Sequence, residues 1–210
     1  SWFELKPDFG RPLTLGLARL DGRTVGFMAS NPKYGAGALD VAACEKATRF
    51  VVMCDSFNIP LVTLVDTPGF VIGAEGERQK APGKIMNFMT ALQMCTVPKL
   101  SVILRKSYGQ AYLNMGGGRN SDAVAAWPTA EVSFMDPTYA TQVVARGRDL
   151  SEDERAAIRD GMDRENSVYG IAEIAAVQSV NRPAETRAWL IEMLEVFRRR
   201  RSGGVGRHAM

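Results

Sequence analysis

The chain has 210 residues, of which 46% are hydrophobic and 23% are charged, and its formal net charge at pH 7 is +3. These values are ordinary for a folded globular domain and exclude intrinsic disorder, which requires few apolar residues and a high net charge. No stretch reaches the roughly 18 apolar residues of a membrane-spanning helix, and residues 1–10 lack the apolar core of a signal peptide. We therefore expect one domain over residues 1–210, located in the cytoplasm or an organelle matrix, without a membrane partner.

The two ends of the chain differ from its middle. Residues 1–12 begin with an aromatic and charged stretch that indicates a linker leading into the domain. Residues 202–210 are rich in glycine and follow four consecutive arginines, which indicates a flexible tail with a solvated charge run. No aromatic residues are interleaved with these arginines, so nucleic-acid binding is not expected. His208, the only histidine, lies in this tail, and we expect it to be exposed to solvent.

The three cysteines, Cys44, Cys54 and Cys95, lie in apolar contexts. They show no C-x-x-C spacing and have no neighbouring histidine, which a zinc site or a redox motif would require. We expect buried thiols and no metal site.

The first half of the chain predicts strands and helices in alternation. Apolar residues over 13–30, divided by Asp21-Gly22, predict two strands joined by a tight hairpin turn. Asp40 is placed to cap a helix with apolar residues at helical spacing, which ends near Asn58. An apolar run over 59–65 predicts a strand buried on both faces. A helix over 82–95 follows, with Pro82 in its first turn.

The second half continues this pattern. Residues 99–104 predict a further core strand, and a helix that includes Leu113 follows. A short strand is expected over 131–135, with helices over 137–146, 151–163 and 183–201. Strands that alternate with helices predict an α/β layer structure with mainly parallel pairing. The last helix has an apolar stripe from Trp189 to Phe197, which we expect to pack against a partner domain.

Two of the predicted strand ends resemble the signature loops of a known family. Residues 64–70, Leu-Val-Asp-Thr-Pro-Gly-Phe, and residues 105–112, Arg-Lys-Ser-Tyr-Gly-Gln-Ala-Tyr, are similar to loops of the propionyl-CoA carboxylase β-type carboxyltransferases. Flanking residues within 39–62 and 126–131 agree with the same family. The resemblance implies a crotonase-like (ClpP/crotonase) ββα superhelix of the α/β class. It also implies that the chain is the second, C-terminal, of two homologous domains.

The resemblance further implies the carboxyltransferase component of a biotin-dependent acyl-CoA carboxylase. Such a component moves a carboxyl group from carboxybiotin, held on a separate carrier, to the α-carbon of an acyl-CoA substrate. The implied partners are an N-terminal carboxyltransferase domain that holds CoA, biotin carboxylase and biotin carrier subunits, and further copies in a homo-oligomer. Two alternatives stay open, a biotin-dependent acyl-CoA decarboxylase subunit and a non-catalytic assembly fragment. A crotonase-type hydratase is disfavoured because no catalytic carboxylate pair is evident.

Carboxyl transfer places negative charge on carbonyl oxygens, which fixed backbone N–H donors in a water-poor cleft stabilise. Small residues at a strand-to-helix turn allow the close approach that such donors need. By resemblance, the amides of Gln110 and Ala111 form an oxyanion hole for the ureido oxygen of biotin, while Gly69, Phe70 and Gly109 contribute to biotin binding. The family usually has glycine at the position of Gln110, so the side-chain amide of Gln110 is an alternative donor.

The roles of three further sequence patterns depend on the three-dimensional structure. Leu113 occupies the acyl-selecting position of the family, and its apolar side chain implies an acyl pocket that differs from that of propionyl-type members. Residues 116–118 are three glycines that either end a helix or cradle a phosphate. Arg105 and Lys106 either contact the phosphates of CoA or form an ion pair at the strand end.

Overall fold

The computed structural model describes residues 1–71, 73–148 and 150–199. The tail predicted over residues 202–210, together with His208, lies outside the described residues. Within the described ranges, no helix is long and apolar enough to cross a membrane.

Strands and helices alternate along most of the described chain. In chain order they are β1 (Trp2–Leu5), β2 (Leu13–Leu20), β3 (Arg23–Ser30), α1 (Val41–Ser56), β4 (Leu61–Thr67), α2 (Ala74–Arg78), α3 (Ala81–Met94), β5 (Lys99–Tyr108), α4 (Gly109–Asn114), β6 (Ala123–Ala126), β7 (Glu131–Ser133), α5 (Pro137–Ala145), α6 (Glu152–Asn166), α7 (Val168–Glu173), β8 (Ser179–Val180) and α8 (Thr186–Val196).

The strands form one eight-stranded sheet in the order β1-β2-β3-β4-β5-β6-β8, and β7 pairs with β5 off this path. The first three strands pair antiparallel, whereas every pair from β3 onward is parallel. This arrangement confirms the predicted hairpin over 13–30 and the mainly parallel pairing. Asp21 and Gly22 both have positive φ, at 51° and 77°, as the tight turn of a hairpin with two loop residues requires.

One face of the sheet is covered by α1 and α3, and these helices contribute much of the larger core cluster. The carboxylate of Asp40 accepts a 2.6 Å hydrogen bond from the N–H of Ala43, which confirms the predicted helix cap. The thiols of Cys44, Cys54 and Cys95 are all free and buried in this cluster, as predicted.

The prediction of a linker over residues 1–12 is wrong for its first part. Trp2–Leu5 forms β1 and pairs antiparallel with β2, from Trp2 opposite Ala18 to Leu5 opposite Leu15. Gly16 makes room for this strand, because a Cβ atom at Gly16 would lie 2.4 Å from the ring of Trp2. A short and mostly exposed edge strand carries almost no apolar alternation, so its pairing depends on a distant partner.

The prediction that the last helix packs against a partner domain is also wrong. Leu190 and Leu194 on α8 are buried against the second face of the same sheet, beside Val62 and Leu100. The indole N–H of Trp127 donates a 2.8 Å hydrogen bond to Thr186 Oγ1 and attaches the start of the helix. A parallel sheet must be covered on both faces, and here α8 covers the second one.

Candidate functional site

The predicted site residues lie at the carboxyl ends of the two central strands. Because β4 and β5 are parallel neighbours, their ends and the loops that follow lie at the same edge of the sheet. Thr67, the last residue of β4, pairs with Ser107, the penultimate residue of β5. The structure thus brings the loop of Gly69 and Phe70 to the same edge as the turn that begins at Gly109.

The loop after β4 is held against the segment that precedes α1. The carbonyl of Gly69 accepts a 2.9 Å hydrogen bond from Leu39 N–H, and Val71 N–H donates one of 2.9 Å to the Leu39 carbonyl. The hydroxyl of Thr67 donates a 2.8 Å bond to the carbonyl of Gly37. These hydrogen bonds to Gly37 and Leu39 therefore fix this wall of the candidate site.

The turn after β5 changes directly from strand to helix. Gly109 is the first residue of α4 and has φ of 59°, a conformation that side chains disfavour. A Cβ atom there would also lie 3.3 Å from the carbonyl oxygen of Phe134. Glycine at this position therefore allows an abrupt turn beneath a neighbouring backbone segment.

The first N–H groups of a helix have no acceptor inside it. Tyr108 precedes α4 at the cap position and provides no side-chain acceptor. In the described part of the chain, no protein group accepts a hydrogen bond from the N–H groups of Gln110 and Ala111. These two adjacent donors at the positive end of a short helix are available to an oxygen atom of a ligand.

The side chains of these two residues differ in their surroundings. Ala111 is fully buried, whereas Gln110 is exposed and its amide nitrogen lies 3.7 Å from the sulfur of Met86 on α3. Thioether sulfur is a weak acceptor, so this contact does not fix the Gln110 amide strongly. Leu113, two residues after Ala111, is 37% exposed and therefore presents an apolar surface on the same helix.

The three glycines after α4 are packed against protein. A Cβ atom at Gly117 would lie 2.2 Å from the ring of Tyr112, and one at Gly116 would lie 2.4 Å from Ser121 Oγ. This close packing favours the interpretation that they end the helix. Asn120 stabilises the same end, since its side-chain amide donates a 3.0 Å hydrogen bond to the carbonyl of Leu113.

Sequence reasoning missed Asn114 at this site. It is fully buried on α4, and its amide nitrogen donates a 3.0 Å bond to the carbonyl of Ile85 on α3. The bond joins the helix of the two free amides to its neighbour. The signal in the sequence is an amide side chain beside apolar residues in a short helix. Such a group needs a hydrogen-bond partner when it is buried, so Asn114 could have been expected to bond to a neighbouring element.

Charged residues also meet at the strand ends. The guanidinium of Arg105 donates two hydrogen bonds to Asp66, from Nε to Oδ1 at 3.2 Å and from NH2 to Oδ2 at 3.0 Å. The pair with Asp66 raises the pKa of Arg105 further above its ordinary value. For Arg105 the structure thus favours the ion pair over a CoA contact. Among the described residues, no group of three or more His, Cys, Asp or Glu side chains could hold a metal ion.

Comparison with known proteins covers nearly the whole chain. The family model described as the carboxyl transferase domain matches residues 1–204. The propionyl-CoA carboxylase, carboxyltransferase subunit of Haloferax mediterranei is 37% identical over 207 residues, covering 96% of this chain and 40% of that protein. The methylmalonyl-CoA decarboxylase subunit alpha of Veillonella parvula is 35% identical over 202 residues, covering 96% of this chain and 39% of that protein.

A solved structure agrees with these sequence matches. The crystal structure of transcarboxylase 12S with methylmalonyl-coenzyme A and methylmalonic acid bound has a TM-score of 0.94 and 36% sequence identity. The match covers 100% of this chain and 42% of that chain, and it confirms the predicted crotonase-like α/β fold. The chain spans about 40% of the length of the curated relatives it matches.

Proposed function

This chain belongs to the carboxyl transferase domain family, and from that membership we propose that it supplies the biotin-side half of the site of a biotin-dependent acyl-CoA carboxylase. The observation that carries the proposal is the pair of free amides at Gln110 and Ala111. They lie at the same sheet edge as the hydrogen-bonded loop of Gly69 and Phe70. When bound, carboxybiotin would supply the carboxyl group that is transferred to the acyl-CoA.

The residues at the turn fit the ureido group of biotin. A ureido oxygen that gains negative charge needs N–H donors and close backbone approach, and both are present at the start of α4. Gly109 has no side chain to block the approach, and that of Ala111 is buried, away from a ligand at the surface. Gln110, Ala111 and Gly109 would hold the ureido group, and Gly69 and Phe70 would form the adjacent wall.

The chain would contribute to the reaction mainly through these fixed donors. Two preorganised amides stabilise charge on an oxygen without reorganising, and each such donor lowers a barrier by about 2.7–4 kcal/mol. The neighbouring loop, which is hydrogen bonded to the segment before α1, would keep its shape beside the donors. Leu113, exposed on the same helix, would contact the acyl group of the CoA ester.

The partner domain and the other subunits of the enzyme are also proposed. Because the chain spans about 40% of its relatives, we infer that an N-terminal carboxyltransferase domain holds CoA opposite these loops. Biotin carboxylase and biotin carrier subunits would complete the enzyme, and the carboxyltransferase part would be a homo-oligomer. Transcarboxylase 12S, whose structure is similar to this chain, forms a hexamer assembly and belongs to a multienzyme core, which supports this proposal.

The second candidate is a biotin-dependent acyl-CoA decarboxylase, in which the same half-site works in the reverse direction. The similarity to the methylmalonyl-CoA decarboxylase subunit alpha of Veillonella parvula favours it as the alternative. Labelled carboxyl transfer separates the two. A carboxylase transfers label from carboxybiotin to a CoA ester during net synthesis, whereas a decarboxylase shows net loss of label from the CoA ester to the carrier.

The site assignment is tested by two substitutions in the complete enzyme. Ala111→Pro removes one donor and should lower the transfer rate by at least about 10²–10³-fold, the loss seen when one oxyanion-hole donor is removed. Gln110→Gly keeps the backbone N–H and should retain activity within about tenfold. If Gln110→Gly abolishes transfer while folding and acyl-CoA binding are unchanged, the side chain is the working donor and the backbone assignment fails.

A third measurement tests the division of the site between two domains. The 210-residue chain alone should show little transfer, and addition of the N-terminal domain should restore it. Rapid transfer by the isolated chain would contradict a half-site. No transfer by the reconstituted pair, with biotin binding absent as well, would favour the non-catalytic assembly fragment.

A further inference from the structure

The pairing of β4 with β5 is irregular at Asp66. The parallel register holds through Val65 opposite Ile103 and resumes at Thr67 opposite Ser107. One residue of β4 therefore stands opposite the three residues 104–106 of β5. This is a bulge in β5, placed directly before the segment that leads to the two free amides.

At this bulge, β5 changes its neighbour on the other side. Up to Ile103 it pairs with β6, and from Lys106 to Tyr108 it pairs with β7. A bulge bends its strand and redirects the residues that follow it. The direction in which β5 enters α4, and hence the placement of Gln110 and Ala111, depends on the geometry of residues 104–106.

The carboxylate of Asp66 holds the bulge. Its Oδ1 accepts a hydrogen bond of 3.3 Å from the backbone N–H of Lys106 and one of 3.2 Å from Arg105 Nε, while Oδ2 accepts the 3.0 Å bond from Arg105 NH2. The extra residues of a bulge leave the strand ladder locally unpaired. Here a side chain of β4 provides the acceptor, on a residue that is only 8% exposed.

We propose that Asp66 is a positioning residue for the carboxyl-transfer site. Its backbone lies in β4, one residue before the strand ends, and its carboxylate holds the bulge before Gln110, so one residue links the strands that lead to both walls. The inference rests on the proposed function for its catalytic consequence. The side chain of Arg105 is 53% exposed, so the ion pair contributes little to stability, and its main effect is to orient the carboxylate.

Asp55 offers a matched control at the other end of β5. It is a buried carboxylate on α1 whose Oδ1 accepts from the N–H groups of Thr96 and Val97 at 2.7 and 3.2 Å. These residues lie just before β5 begins, at the end opposite the site. Asp55→Asn and Asp66→Asn therefore make the same chemical change in two side chains of other elements, one bonded just before the start of β5 and one bonded near its end.

The experiment compares Asp66→Ala, Asp66→Asn and Asp55→Asn in the complete enzyme. We expect Asp66→Ala to lower kcat by about 10²-fold, the effect of a displacement near 1 Å, with KM for the acyl-CoA unchanged. Asp66→Asn should be milder, since its amide oxygen can still accept from Lys106 N–H. Asp55→Asn should lower the melting temperature but leave kcat at the wild-type value.

A second readout does not depend on catalysis. Hydrogen exchange of residues 107–113, measured without biotin, should become faster in the Asp66 variants and stay unchanged in Asp55→Asn. Wild-type exchange in both Asp66 variants, or a kcat loss in Asp55→Asn as large as in Asp66→Asn, would overturn the inference. If the wild-type enzyme shows no carboxyl transfer, the proposed function fails, and hydrogen exchange still decides whether Asp66 orders the turn.

Discussion

The hydroxyl of Tyr108 donates a 2.6 Å hydrogen bond to Oε2 of Glu131 and so joins the end of β5 to β7, one residue before Gly109. Burial of the phenol and its bond to Glu131 raise the pKa of Tyr108 above its ordinary value. We expect Tyr108→Phe to lower the free energy of unfolding by about 0.5–1.5 kcal/mol, because the exposed Glu131 regains water when the bond is lost. Urea denaturation measures this loss.

Glu131→Ala provides the background for a double-mutant cycle. If the hydrogen bond accounts for the effect, Tyr108→Phe should cost much less in that background. An equal cost in both backgrounds would show that the ring environment, and not the bond to Glu131, responds to the change.

Burial should also protect the three cysteines. It raises the pKa of Cys44, Cys54 and Cys95 to about 12. The thiolate is the reactive form, so at pH 8 these thiols should react with a disulfide reagent about a thousandfold more slowly in the native state than after unfolding. Rapid labelling of the native chain at pH 8 would contradict this burial.

The same shift predicts a loss of stability in alkali. The folded pKa values lie above the unfolded values. The contribution of the three thiols to the free energy of unfolding is therefore complete below the unfolded pKa near 9 and is lost as pH rises toward 12. Urea denaturation at pH 8 and pH 10.5 measures the difference. Cys44→Ala removes one of the three thiols. The free energy of unfolding of this variant should therefore fall less between these two pH values than that of the wild type.

The elements that could be predicted from sequence are those with a local signal. The hairpin turn at Asp21-Gly22, the cap at Asp40 and the buried strand over 59–65 all follow from neighbouring residues, and all are present. The strand β5 extends four residues beyond its predicted end at Leu104 because its last residues pair with β7. That pairing is a long-range contact, which residue order alone does not reveal.

In the candidate site, too, features with a local sequence signal could be predicted and features that depend on long-range contacts could not. The turn at Gly109 was recognisable from its residues, because small residues between a strand and a helix have a local meaning. The bulge opposite Asp66 was not, since it depends on how two distant strands align. Likewise, the apolar stripe of α8 indicated that the helix is buried on one side. Its partner, the second face of the same sheet, could not be identified from the stripe alone.

Packing of α8 on this face leads to a further prediction. Leu194 is 3% exposed, whereas Val196, two residues later, is 61% exposed. Leu194→Ala should lower the free energy of unfolding by about 2–5 kcal/mol, because it leaves a cavity against the sheet. Val196→Ala should change it by less than about 0.5 kcal/mol. Equal effects in chemical denaturation of the isolated chain would mean that α8 does not pack on the sheet in solution.

The last prediction concerns Gly37, whose carbonyl accepts the hydrogen bond from Thr67 at the end of β4. Gly37 has φ of 85°, and a Cβ atom there would lie 2.4 Å from the backbone carbonyl oxygen of Asp66. Gly22 is the matched control, because its φ is 77° but nothing lies within 4 Å of an added Cβ. Both alanine variants carry the backbone strain of positive φ, about 1–2 kcal/mol. Only Gly37→Ala adds a collision with backbone, which should cost about 1–3 kcal/mol more.

The collision would also displace the strand end that carries Asp66. Gly37→Ala should therefore reduce carboxyl transfer in the complete enzyme, while Gly22→Ala, in the distant hairpin turn, should retain the wild-type rate once it is folded. Thermal unfolding and transfer assays on the two variants measure both effects. If Gly37→Ala and Gly22→Ala lose equal stability, the segment before α1 can move away from β4, and the loop of Gly69 is held less firmly than its hydrogen bonds to Leu39 indicate.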